Sequence, residues 1–344
     1  MQRSSVISDN QLADWHTLAN RVQDNINNHI LGQSHVVKLL TIAIFCRGHV
    51  LLEGDVGVGK TTLLRIAAES LGGDFERIEG TIDLMPHDLI YYTHIDEHGK
   101  PAVGKGPLLK HGEDLSIFFF NEINRAKPQV HAMLLRIMAE KSLSAFNQSF
   151  HFPYLQVFAD RNRIERDETF ELPAAARDRF MMELHIAQPS AEDQLKMLMF
   201  DTRFYNSDSL VDEAQKAIVP YRELNQIAAQ IQQHIHASPA IQDYGFRLCQ
   251  ALRNPGQANI QLSDIDTEHL IAGGMGPRGI AFLARAARAN AWLAQRDCLT
   301  PEDFHAVLPV IAKHRLFVTP AYQYAAEQLV EALIEKVLAH IPAP

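Results

Sequence analysis

The residues with the plainest chemistry are Gly54, Asp55, Val56, Gly57, Val58, Gly59, Lys60 and Thr61, which read GDVGVGKT. A glycine, four spacers and then Gly-Lys-Thr is the spelling of a phosphate-binding loop. Glycines at 54, 57 and 59 let the backbone curl with its N–H groups turned inward, and the loop delivers them to a helix N-terminus, where the dipole favours negative charge. Lys60 is then placed to reach the outer phosphates and the Thr61 hydroxyl to ligate Mg2+, while Thr62 continues into the helix. The flanks agree: the apolar run at 50–52 reads as a strand and residues 61–71 as a helix. A nucleoside triphosphate with Mg2+ is the implied ligand.

Gripping phosphate is not yet chemistry, because hydrolysis needs a carboxylate to activate water and a means of holding the metal. Glu122 follows the apolar run LSIFFF at 115–120 and is the candidate base; Asn121 precedes it, where an aspartate is usual. An asparagine keeps an acceptor oxygen for the metal's shell and loses the charge. Weaker metal binding and slow turnover are expected, and Asn121→Asp is expected to raise activity or tighten the Mg2+ dependence. Asn162 lies just beyond the run LQVFA at 155–159, where its amide either orients the attacking water or merely closes a turn. Arg179, in LPAAARDRF, and Arg278, in MGPRGIAFLARAARA, have forked guanidinium groups suited to phosphate charge. Taken singly, they read as surface ion-pair formers.

The elements that must carry these residues follow from periodicity. Residues 11–46 read as helical with a break at Leu31-Gly32-Gln33, 75–78 as a short strand, 115–120 and 155–159 as buried strands, and 127–141 as a helix with one apolar stripe. Unbroken apolar strands alternating with helices predict an α/β unit built on a parallel sheet covered on both faces. From about residue 191 onward the pattern is almost entirely helical, including 222–236, 279–293 and 321–340. The expected organisation is therefore an α/β core over 1–190 and an all-α domain over 191–344.

The bulk properties exclude more than they assign. With 344 residues and 47% hydrophobic residues the chain can bury two cores, and its formal charge of −9 disfavours nucleic acid as a partner. Cys46, Cys249 and Cys298 have no metal-ligand spacing, so buried free thiols and a reducing cytoplasm are expected. The seventeen histidines show no HExxH pattern, and those at 94, 98, 111 and 151 fall in segments that read as loops or hairpins. The polar start and the lack of a long apolar run predict neither secretion nor membrane insertion.

Taken in order, the P-loop, NEINRA, Asn162, DRF and GPRG make the chain resemble the MoxR family of AAA+ ATPases over nearly its whole length. LGQSHVV at 31–37 is similar to the family's segment beside the adenine, which implies that Leu31 and Gly32 contact the nucleotide. GHVLLEGDVGVGK at 48–60 looks like its Walker A region and FNEINRAKPQVHAMLLRIMAEK at 120–141 its Walker B strand and following helix. IDLMPHDLI at 82–90 with GPLL at 106–109 resembles its core insert, and LPAAARDRF its arginine-finger segment. The resemblance implies an AAA+ core followed by a helical lid, assembled as a homo-oligomeric ring, usually a hexamer, with ATP between protomers. It further implies that Glu122 is the Walker B glutamate, Asn162 sensor 1, Arg179 the finger acting in trans with Arg177 in reserve, and Arg278 sensor 2.

Two departures stand out. Asn121 replaces the Walker B aspartate, and ADRNR at 159–163 replaces the family's common ATQNP, so two arginines flank Asn162. The expected activity is ATP hydrolysis coupled to chaperone-like remodelling of a protein client, often alongside a von Willebrand factor A domain protein. Two other readings stay open: a ring that binds ATP as a scaffold with little turnover, and a nucleic-acid motor. The segments around 84–109 and 143–152 are candidates for the ring face or pore.

Overall fold

The computed structural model describes residues 9–162 and 169–344. By its contacts the chain forms two compact units, one of Thr17–Arg179 and Leu184–Asn225, the other of residues up to His16, Phe180–Glu183 and Gln226–Pro344. Helix α1 (Asp9–His29) and helix α2 (Ser34–Phe45) lead in, separated by Gly32 at φ 74°. A Cβ on Gly32 would lie 2.9 Å from the Pro189 side chain, so both the backbone angle and the close approach call for glycine.

The α/β unit then alternates. It runs β1 (His49–Gly54), α3 (Lys60–Leu71), β2 (Asp74–Glu79), a hairpin of β3 (Tyr91–Ile95) and β4 (Pro101–Lys105), α4 (Pro107–Lys110), β5 (Leu115–Asn121) and α5 (Pro128–Glu140). A second hairpin, β6 (Ser142–Ala145) and β7 (Gln148–His151), precedes β8 (Gln156–Arg161), α6 (Ala174–Arg177), β9 (Phe180–Ile186), α7 (Glu192–Phe200) and α8 (Ser207–Glu213). Five strands form one sheet in the order β2-β5-β8-β1-β9, and the β2-β5, β5-β8 and β8-β1 pairs are parallel. Every residue of β1 and β5 is buried, as a strand covered on both faces requires. Phe118, Phe119 and Phe120 are fully buried, and each such side chain is worth about 2 kcal/mol of transfer energy.

Register sets the site. Glu53 lies opposite Arg161, Phe120 opposite Ala159, and Glu79 opposite Asn121, so the carboxyl ends of β2, β5, β8 and β1 line up along one sheet edge. Ligands of open α/β sheets bind at such an edge. Both β2 and β8 run past their expected ends, at Ile78 and Ala159, and the added residues include Glu79 and Asp160.

The other unit is helical, with α9 (Leu224–His234), α10 (Pro239–Arg253), α11 (Pro277–Leu293), α12 (Pro301–Ala312) and α13 (Ala326–His340), plus a small ribbon of β10 (Ile271–Gly273) and β11 (Phe317–Val318). Thr300 and Asp303 form a capping box at the start of α12, and fully buried Asp303 also accepts from Asn290 and Arg296 at 2.7 and 2.8 Å. The terminal helix starts at Ala326, later than expected, because Pro320–Ala325 forms a 3-10 segment ahead of it. The thiol of Cys298 is exposed, against the expectation of burial for all three, because it follows the turn after α11 rather than lying on a packed face. Among the described residues no helix is long and apolar enough to cross a membrane.

Candidate functional site

The phosphate loop connects β1 to α3. Gly57 and Gly59 take φ angles of 83° and 87°, the left-handed region that glycine enters without a Cβ penalty, and Gly59 is the residue from which α3 departs. Gly54 is needed for a different reason: a Cβ there would sit 2.3 Å from the Ile186 carbonyl oxygen on β9. The side chain of Lys60 is 7% exposed, and its ammonium donates to the carbonyls of Gly54 at 2.6 Å and Asp55 at 3.1 Å and to Asn162 Oδ1 at 2.7 Å. An ammonium held by neutral carbonyl oxygens can exchange them for charged phosphate oxygens, which are stronger acceptors. Asp55 and Val56 face solvent.

Across the cavity stand the ends of β5 and β8. Glu122 leaves β5 in the left-handed region, φ 52° and ψ 50°, an uncommon conformation for a non-glycine residue. Its N–H is held at 2.6 Å by Asp160 Oδ1, and its carboxylate accepts from Asn162 Nδ2 at 2.9 Å and pairs with Arg125 at 3.0 Å. A carboxylate has about four lone-pair sites, so these contacts leave room for a water on Glu122. Residues 56–62 together with Asn121, Glu122, Asp160 and Asn162 enclose a cavity of about 300 Å³.

Two participants were not singled out by sequence reasoning. Asp160 is buried at the end of β8, 3.7 Å from the Lys60 ammonium; burial raises its pKa, with the Glu122 N–H and Lys60 only partly offsetting this. Glu79, at the end of β2, accepts a hydrogen bond from Asn121 Nδ2. The available signal was an acidic residue immediately past an apolar strand in a chain that carries a P-loop. Asn121 also faces Thr61, whose hydroxyl lies 3.4 Å from Asn121 Oδ1. A pair of oxygens beside the phosphate loop fits a hard, oxygen-preferring cation such as Mg2+.

The remaining sequence candidates lie apart from this cavity's lining. Leu31 and Gly32 sit in the α1–α2 turn, where Gln33 donates to the Ala187 carbonyl at 2.6 Å and Gly32 abuts Pro189 and Gln194. Arg177 ends α6 and Arg179 follows it by two residues, donating to the Ala175 carbonyl at 2.8 Å. Neither is among the residues that line the cavity. Arg278 is exposed in the first turn of α11 and belongs to the helical unit. Of the two arginines flanking Asn162, Arg161 pairs with Glu53 at 3.1 Å, whereas Arg163 lies outside the described residues.

Comparison with known proteins matches residues 49–182 to the ATPase family associated with various cellular activities (AAA), and residues 264–340 to the AAA lid domain. The protein MoxR of Paracoccus denitrificans is 54% identical over 336 residues, covering 98% of this chain and 99% of that protein. Chaperone MoxR1 of Mycobacterium tuberculosis is 31% identical over 338 residues, covering 96% of this chain and 84% of that one. The crystal structure of a proposed ATPase from Cytophaga hutchinsonii superposes with a TM-score of 0.81 at 27% identity, covering 98% of both chains.

Proposed function

The chain belongs to the MoxR family of AAA+ ATPases, and from that premise we propose that it hydrolyses ATP with Mg2+ in a homo-oligomeric ring, a hexamer, and uses the cycle to remodel or activate client proteins in the cytoplasm. The relative named as a chaperone supports the client reading. A von Willebrand factor A domain protein is the partner the family resemblance suggests. The observation that carries the catalytic part is the connected set Lys60–Asn162–Glu122, which joins the phosphate loop to the ends of β8 and β5 by hydrogen bonds of 2.7 and 2.9 Å.

In this reading the backbone N–H groups of the loop and the Lys60 ammonium bind the phosphates. Thr61 and Asn121 hold the cation, whose role when bound is to neutralise phosphate charge. Glu122 takes a proton from water as the water oxygen bonds to the terminal phosphorus and the bond to the bridging oxygen breaks, while Asn162 holds Glu122 and the water in line. Arg179, with Arg177 as the reserve, acts on the nucleotide of the adjoining protomer, and Arg278 contributes from the lid of its own. Leu31 and Gly32 flank the adenine. The hairpins β3–β4 and β6–β7 are proposed to meet the client, an idea supported by Ile95 and Phe146, which are 66% and 51% exposed.

A second reading, an ATP-holding scaffold with little turnover, is favoured by one observation, the neutral Asn121 in place of a carboxylate. Phosphate release measured against protein concentration separates the two. The ATPase reading expects a rate per protomer that rises with assembly and exceeds that of Glu122→Gln. It also expects Arg179→Ala to bind ATP without turnover and to regain part of its activity when mixed with Lys60→Ala protomers. A wild-type rate no greater than that of Glu122→Gln at every concentration supports the scaffold instead.

A further inference from the structure

Asn121 poses a problem that its neighbours solve. A side-chain amide has an accepting end and a donating end, and only the accepting end suits a cation or its waters. Here the donating end is already claimed: Asn121 Nδ2 donates to Glu79 Oε1, directly across the β2–β5 register. An ionised carboxylate accepts only, so the reverse orientation would set lone pairs against lone pairs. Oδ1 is thereby left facing the Thr61 hydroxyl at 3.4 Å.

The Glu79 carboxylate is half exposed and has a second partner at the surface. Arg77 Nη2 donates to its other oxygen at 2.8 Å, and the Asn121 carbonyl accepts the N–H of Gly80 at 2.7 Å, closing the two strand ends together. Gly80 is fitted to this closure, since a Cβ there would lie 2.1 Å from the Glu122 carbonyl oxygen. A hydrogen bond to a carboxylate also polarises the amide and adds electron density to the oxygen on its far side.

We propose that Glu79 is a positioning residue that fixes the Asn121 amide with its oxygen toward Thr61, so that Glu79 and Asn121 together present to the nucleotide's cation the acceptor oxygen that a single aspartate would present. This rests on the ATP reading above. It reverses one expectation drawn from sequence alone. Asn121→Asp places a second carboxylate against Glu79, and the mutual repulsion of two acceptors in hydrogen-bond contact outweighs the gain of a charge. The aspartate works only when Glu79 becomes a donor, as in the double variant Asn121→Asp with Glu79→Gln, where the new amide donates to the new carboxylate.

The test is equilibrium binding of a fluorescent ADP analogue to the full chain, once with Mg2+ and once with EDTA, with thermal melts confirming that each variant is folded. Glu79→Ala should lose about tenfold in affinity with Mg2+ and keep its affinity in EDTA. Asn121→Asp should lose a similar factor with Mg2+, and the double variant should return to within about threefold of the wild type. Asn121→Asp leaves Glu79 in place, so it gives an independent arm should the Glu79 variants fold poorly. Equal losses with and without Mg2+ in Glu79→Ala, or Asn121→Asp alone binding Mg2+-nucleotide as tightly as the double variant, would overturn the proposal. A wild type that binds the analogue but gains nothing from Mg2+ would overturn it too and leave nucleotide binding standing; a wild type that binds no nucleotide would overturn both.

Discussion

The two walls of the cavity are built by different means. On one side, residues 54–61 shape the phosphate loop from a single stretch of chain, through the positive φ of Gly57 and Gly59 and the bare Cα of Gly54 against Ile186. On the other, Asn121, Glu122, Asp160, Asn162 and Glu79 come from three strands and are held by side-chain hydrogen bonds that span 38 to 42 residues of sequence. The first wall is a backbone device and tolerates few changes of main-chain geometry. The second is a network of polar side chains, in which the effect of one residue depends on its hydrogen-bond partners. Asn121 with Glu79 is such a pair, and Asp160, which holds the N–H of Glu122, is a buried carboxyl on that same wall.

Breaking the backbone wall should have the largest effect on the fold. Gly54→Ala puts a methyl group 2.3 Å from a main-chain oxygen of the adjoining strand, and neither partner is a flexible side chain that can step aside. A loss of about 3 kcal/mol in stability is expected, read as a fall in denaturant midpoint with unchanged slope. An unaltered midpoint would show that the loop's fit against β9 is looser than the geometry indicates.

The helix that follows the side-chain wall should respond to pH. His131, buried in α5, has its pKa lowered by burial, although its Nε2 bonds to the Ile123 carbonyl at 2.7 Å, just past Glu122. Its unfolded value is near the ordinary one of about 6.5, so below that pH the unfolded chain binds the proton more readily than the folded one. Stability from this residue is therefore complete above about pH 6.5 and is lost as pH falls toward the lowered folded value. His131→Gln, which keeps a donor for Ile123, should reduce the drop in melting temperature between pH 7.5 and 5.5 by a small but measurable amount. Identical pH dependence in variant and wild type would remove His131 from this account.

Legibility in the sequence followed the same division. The phosphate loop could be read because its cause is local: glycine spacing, a strand before it and a helix after it. The LSIFFF strand was equally plain, since a run of buried apolar residues has few other uses in an α/β unit. Glu79 and Asp160 escaped because each sits one residue past the point where the apolar pattern ends, and their partners lie on other strands. Asn121 was visible as an anomaly, but its remedy was not, because only the β2–β5 register brings Glu79 opposite it. The helical unit was legible as such from periodicity, whereas the short β10–β11 ribbon left no signal in two- and three-residue strands.

All of this turns on whether the loop ending in Lys60 and Thr61 grips a nucleotide. The most direct measurement is equilibrium binding of ATP in the presence of Mg2+ to the wild-type chain and to Lys60→Ala, by calorimetry at a single pH and salt. Saturable binding to the wild type and a loss of about a hundredfold or more in the variant, roughly 3 kcal/mol of charge-assisted hydrogen bonding, is the predicted result. Equal affinity in the two proteins, or no binding to either, would contradict it.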